Sequence, residues 1–159
     1  MKFITKNKRE TQKLARHLSG EFLKRSNPKK ALVIALSGNL GAGKTTFAQW
    51  FAKPLGVKES VKSPTFVLMQ IFKTGRTLPN GKRRLVHIDT YRIKRPSDML
   101  RIGLKDILKD PKNIILIEWA EKIKGLLPKD GTWIYFKHAG RNRRIIIVSM
   151  TPHQILKSA

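Results

Sequence analysis

The chain holds 159 residues, and its 34 Lys plus Arg against 10 Asp plus Glu give a formal charge of +24. A length near 150 suits a single domain over residues 1–159, able to bury roughly 70% of the surface that its unfolded form exposes. The absence of cysteine excludes disulfide scaffolds and Cys-ligated zinc modules, and His17, His87, His138 and His153 lack zinc-ligand spacing.

The N-terminal stretch carries Lys2, Lys6, Lys8, Arg9 and Lys13 without the apolar core of a signal peptide. No apolar run approaches the roughly 20 residues of a membrane span, so a soluble cytoplasmic chain with no membrane contact is expected. Leu14, Leu18 and Phe22 recur at i, i+4 and i+8, which predicts an amphipathic helix over about 6–25, capped by Thr5 and stopped by Asn27 and Pro28. The unbroken apolar run from Ala31 to Leu36 predicts a strand buried on both faces. It feeds a glycine-rich segment, and a helix should follow to about Lys53, before Pro54.

After Ser63-Pro64-Thr65, residues 66–72 and 84–88 read as strands of an antiparallel hairpin, joined by a segment with Gly75, Pro79 and the turn pair Asn80-Gly81. The polar stretch from Tyr91 to about Lys109 predicts two short helices broken near Gly103. Asn113 to Ile117 is a second buried strand, ending in Glu118-Trp119. Residues 132–137 and 143–149, separated by Gly140, predict another hairpin, with a short tail helix over 152–157. Strands interleaved with helices give an α/β class, and the two hairpins make the sheet mixed.

The strongest chemical signal is Gly38-Asn39-Leu40-Gly41-Ala42-Gly43-Lys44-Thr45, which fits GxxxxGK followed by Ser or Thr and lies between a predicted strand and a predicted helix. Glycines let successive backbone N–H groups turn toward phosphate oxygens, and the helix adds its positive end. Lys44 would reach the outer phosphates and the Thr45 hydroxyl would ligate Mg²⁺. Mg²⁺ takes few protein ligands besides phosphate and water. Asp89 and Glu118, which close the apolar runs 85–88 and 114–117, are the candidates, because ligands in open α/β sheets bind at strand carboxyl ends.

Other signals have plain structural readings. Trp119 is either a contact platform or core packing. Thr65 is either a phosphate-sensing switch or part of an ordinary Ser-Pro-Thr turn. His87 reads as a packed core histidine, and Arg141 as a solvated turn residue. A GTPase should carry Asn-Lys-x-Asp and Asp-x-x-Gly, and neither occurs: Asn7-Lys8-Arg9-Glu10 lies before the glycine-rich loop and ends in Glu. That leaves an ATPase or a kinase.

The ordered set Gly38 to Thr46, Val61 to Phe66, His87 to Arg92 and Ile117 to Glu121 resembles the TsaE (YjeE) family, small ATPases of bacterial tRNA threonylcarbamoyladenosine biosynthesis. The resemblance runs from about Thr5 to Val148. It implies a three-layer P-loop NTPase fold with a mixed parallel and antiparallel sheet, which binds ATP and Mg²⁺ and hydrolyses ATP slowly. It implies partnership with a TsaB–TsaD pair that modifies adenosine 37 of tRNA, the tRNA being held indirectly through that complex. By position, Thr45 and Glu118 match the Mg²⁺ ligands, Asp89 a required acid, Thr65 a switch-like loop and Trp119 a tryptophan needed for function. Lys8 and Thr11 match residues bordering the adenine, and Arg141 an arginine that approaches ATP.

The chain departs from the family pattern at Asn39, where Asp is common, at Ala120, where Pro is common, and over 92–101, where an acid-rich segment is replaced by Arg95, Ser97 and Arg101. Two other readings stay open on the residues alone: a small-metabolite kinase, and an RNA binder using the charge directly through, for example, Lys82, Arg83 and Arg84. The basic charge is spread along the chain rather than concentrated in one stripe. Weak, unselective attraction to RNA is therefore the expectation.

Overall fold

The computed structural model describes residues 1–64, 66–75 and 78–150. Among the described residues, seven strands form one sheet: β1 (Lys2–Thr5), β2 (Leu32–Gly38), β3 (Met69–Lys73), β4 (Arg84–Asp89), β5 (Asn113–Glu118), β6 (Thr132–His138) and β7 (Arg144–Ser149). Their spatial order is β1-β7-β6-β2-β5-β4-β3. The four central strands β6, β2, β5 and β4 run parallel, whereas β3 pairs antiparallel with β4 and β7 antiparallel with β6. The apolar runs around Ile34 and Ile115 lie in the centre of this sheet because both of their faces are covered.

Helices α1 (Lys8–Arg25) and α2 (Lys44–Ala52) cover one face, where Leu18, Phe22, Phe47 and Phe51 pack on Ile34, Leu36 and Leu116. The short helices α3 (Ser97–Arg101) and α4 (Leu104–Lys109), with a 3-10 segment over Ala120–Leu126, cover the other. There Met99, Leu104 and Ile123 meet Val86, Ile88, Ile115 and Ile117. Each such side chain, once fully buried, contributes about 1.5–3 kcal/mol relative to exposure. Alternation along β4 and β5 sends Asp89 and Glu118 to the α2 side, the side on which the loop before α2 lies.

Several boundaries differ from expectation. Asn7, not Thr5, caps α1: its side chain accepts from the Glu10 N–H at 2.9 Å, and the Glu10 carboxylate accepts in return from the Lys6 N–H at 2.7 Å. Thr5 instead ends β1, whose partner is β7 at the far end of the chain. The strand expected from Phe66 begins at Met69, and Phe66 and Val67 form an exposed turn. The break at Gly103 is present, with φ at 85°. The expected tail helix over 152–157 lies outside the described residues.

Lys82 is not a surface charge. Its side chain is fully buried, and Nζ donates to the carbonyls of Asn27 (2.9 Å), Lys30 (2.7 Å) and Pro111 (2.8 Å). It thereby ties together the segments that precede β2, β4 and β5, and burial pushes its pKa below the ordinary lysine value. Arg84 bonds to Asp110. The basic trio suggested for RNA contact is thus split, with Arg83 its exposed member.

Candidate active site

The loop from Gly38 to Thr45 leaves the carboxyl end of β2 and enters α2 at Lys44. Gly38 has φ of 143°, and a Cβ at that position would overlap the Phe136 carbonyl oxygen of β6, so only glycine lets the loop leave the sheet here. Gly43, the residue before α2, is left-handed at φ 105°, with Arg144 Nε only 3.1 Å from where a Cβ would stand. The first turn of α2 therefore opens beside the loop, with the positive end of its dipole toward the cleft.

Lys44 is buried at 5% exposure. Its Nζ donates to Gly38 O at 2.6 Å and Asn39 O at 3.0 Å, and stands 3.8 Å from the centroid of the Trp119 ring. Burial lowers its pKa, while the charges of Glu118, Glu121 and Asp89 oppose that shift. Trp119 reaches this position because it turns left-handed at the end of β5, with φ of 58°. The Thr90 hydroxyl donates to its carbonyl at 2.7 Å, and its ring lies 5.0 Å from that of Tyr91.

Next to Lys44, the Thr45 hydroxyl donates to Glu118 Oε2 at 2.7 Å. The other oxygen of that carboxylate, Oε1, is 2.9 Å from His87 Nε2. The parallel register pairs Asp89 with Glu118, so the two acids stand side by side at the ends of β4 and β5. Asp89 accepts from the Ser63 hydroxyl at 2.6 Å and from the Tyr91 N–H at 2.8 Å. A cleft of about 360 Å³ runs between the loop, these acids, Trp119 and Arg144.

The donor set fits Mg²⁺. The 2.7 Å separation of Thr45 Oγ1 and Glu118 Oε2 is close to the roughly 3 Å between adjacent ligands of an octahedron with about 2.1 Å bonds. Among the described residues no three His, Cys, Asp or Glu gather as a cage. A Mg²⁺ ion beside phosphate takes one or two protein oxygens, with phosphate and water completing its shell.

The residues singled out in the sequence divide into two groups. Gly38, Asn39, Leu40, Gly41, Ala42, Gly43, Lys44, Thr45 and Thr46 form the loop and the first turn of α2, and Asp89, Glu118 and Trp119 converge on them. Lys8 is exposed in the first turn of α1, and Thr11 is buried with its hydroxyl 2.9 Å from that of Thr5; neither lines the cleft. Arg141 is exposed in the turn between β6 and β7. Thr65 lies outside the described residues.

The arginine at the loop is Arg144, whose Nε donates to Ala42 O at 3.1 Å. Its signal is one of register: Arg144 pairs with His138, two residues beyond the Phe136 that pairs with Gly38. Only the strand order reveals that relation. His87 and Ser63 were equally hidden, the first inside an apolar strand and the second in an irregular segment, and each touches one of the two acids.

A parallel core, a glycine loop running from strand into helix, and acids at the neighbouring strand ends define the mixed-sheet α/β architecture of a P-loop NTPase. A family model described as "Threonylcarbamoyl adenosine biosynthesis protein TsaE" matches residues 5–146. A relative from Bacillus subtilis (strain 168), named tRNA threonylcarbamoyladenosine biosynthesis protein TsaE, is 37% identical over 146 residues, covering 92% of this chain and 83% of its own. A relative of the same name from Rickettsia prowazekii (strain Madrid E) is 36% identical over 140 residues, covering 87% and 88%. A crystal structure of YdiB from Bacillus subtilis is similar with a TM-score of 0.71 at 30% identity, covering 94% of this chain and 85% of that one. The chain belongs to the TsaE family.

Proposed function

We propose that the chain binds Mg·ATP in this cleft and hydrolyses it slowly. In this reading the ATP cycle serves threonylcarbamoyl modification of tRNA adenosine 37, through docking onto a TsaB–TsaD-type pair in the cytoplasm. The observation that carries the reading is the direct bond between Thr45, in the first turn after the loop, and Glu118, at the end of β5. It supports a cation-ready pair beside a phosphate-binding loop.

On nucleotide entry Lys44 exchanges its bonds to Gly38 O and Asn39 O for outer phosphate oxygens. Backbone N–H groups of the loop and the N-terminus of α2 bind the remaining phosphate charge. Thr45 and Glu118 would hold Mg²⁺, which supplies positive charge at the outer phosphates when bound. Asp89, held by Ser63 and the Tyr91 N–H, orients the attacking water. Arg144 serves the phosphates, since its guanidinium already bonds the loop, and Arg141, exposed in the turn between β6 and β7, approaches the bound nucleotide. Lys8 and Thr11 border the adenine only if the nucleotide extends beyond the cleft toward α1.

Trp119 and Tyr91, at the cleft mouth, are the surface that a partner reads. The +24 charge attracts RNA weakly and without selectivity, and the partner pair holds the tRNA. Co-purification with a TsaB–TsaD-type pair, with and without Mg·ATP, tests this. Retention that requires Mg·ATP and is lost in Lys44→Ala is expected. Retention indifferent to nucleotide and to Lys44→Ala would contradict the proposal.

A further inference from the structure

The imidazole of His87 is fully buried in β4, a strand whose neighbouring residues Leu85, Val86 and Ile88 are apolar. Its Nε2 lies 2.9 Å from Glu118 Oε1, and its Nδ1 has no hydrogen-bond partner among the described residues. Burying a polar ring with one nitrogen unpaired is unfavourable, and an apolar side chain would fill this layer at lower cost. The interaction that offsets that cost is the one with Glu118. With the carboxylate as the acceptor, the ring donates from Nε2.

Glu118 is itself 2% exposed, and its two oxygens are held from opposite sides, Oε1 by His87 and Oε2 by Thr45. The last torsion of a glutamate is broad and soft. Two donors fix it with Oε2 toward the loop. We propose that His87 is a positioning residue that presets the Glu118 carboxylate against Thr45, so that the cation site forms without reorganisation of the acid. This rests on the reading of Thr45 and Glu118 as the Mg²⁺ ligands. The role parallels that of outer partners in metal sites, whose loss lowers metal affinity about 10–100-fold.

The test is calorimetric titration of ATP across a series of Mg²⁺ concentrations, with nucleotide binding as the readout and thermal melts as the check on folding. His87→Leu removes the donor, His87→Gln returns one at the same bond count as Nε2, and His87→Asn carries one that falls short. The Mg²⁺ concentration for half-maximal enhancement of ATP binding should rise about tenfold or more in His87→Leu and His87→Asn. It should return most of the way in His87→Gln, with ATP affinity without Mg²⁺ unchanged in all three. If His87→Leu does not fold, the Gln and Asn pair carries the comparison.

Glu118→Gln separates the two claims. If it shifts the Mg²⁺ requirement while the His87 variants alter only the melting temperature, His87 is a packing residue and the inference is overturned. If Glu118→Gln itself leaves the Mg²⁺ requirement unchanged, the ligand reading fails first.

Discussion

Thr45 Oγ1 donates to Glu118 Oε2 across 2.7 Å, joining residues 73 positions apart in the chain. Asp89, beside Glu118 in the strand register, is held instead by Ser63 and the Tyr91 N–H. The two acids should therefore separate in their effects. Thr45→Ala and Glu118→Gln are expected to raise the Mg²⁺ requirement at least about tenfold. Asp89→Ala is expected to lower turnover by about a hundredfold with little change in ATP affinity, as for a contact made mainly in the transition state. Steady-state hydrolysis at varied Mg²⁺ distinguishes them, and equal full activity in all three would return both acids to plain strand-end residues.

The Lys44 ammonium over the Trp119 ring gives the cleft an internal reporter. When phosphate oxygens draw Lys44 away, the electrostatic field on the indole changes. Mg·ATP should alter tryptophan emission in the unmodified chain, and the change should vanish in Trp119→Phe, since Trp133 is buried in the opposite layer and Trp50 packs with Arg16. An identical change in Trp119→Phe would show that Lys44 does not carry the signal.

How much of this was legible in the sequence depended on whether the signal was local. The run from Ala31 to Leu36 and the glycine pattern after it declare a buried strand, a loop and a helix within fifteen residues, and all three are present. Gly103 likewise marks the break between α3 and α4 by its own backbone demand. Lys2 to Thr5 gave no such signal, because its edge-strand character comes from pairing with β7 more than a hundred residues away. The bonds of His87 and Arg144 were hidden for the same reason: each arises from the register of strands distant in the chain. Lys82 read as a surface charge, because composition cannot reveal three carbonyls converging on one ammonium.

Gly38 provides a steric test of the loop. Its φ of 143° and the Phe136 carbonyl oxygen, which a Cβ would overlap, leave no room for alanine. Gly38→Ala should cost roughly 2–4 kcal/mol of stability or distort the loop enough to abolish ATP binding. Urea denaturation together with a binding titration would show which, and a variant that is as stable and binds as well as the original would refute the geometry.

Lys82→Met should destabilise the fold by about 1–3 kcal/mol, since it leaves three partly buried carbonyls without their common donor. It should not alter the salt dependence of RNA attraction, because the ammonium never meets solvent. Denaturant midpoints and the slope of log affinity against log salt measure the two effects. A slope that flattens by nearly one unit in a variant as stable as the original would make Lys82 a phosphate contact instead.

The central claim is that the loop from Gly38 to Thr45 is a Mg·ATP site, and isothermal titration of Mg·ATP into the unmodified chain and into Lys44→Ala tests it most directly. Lys44 is held in place by Gly38 O and Asn39 O, with its Nζ over the Trp119 ring. Its removal takes a full positive charge from the outer phosphates while leaving the glycines and the helix start intact. The account predicts binding in the micromolar range, ATP preferred over GTP, and a loss of at least about tenfold, or 1.4 kcal/mol, in Lys44→Ala. Equal affinity in the two chains, or no binding of Mg·ATP by the unmodified chain, would contradict it.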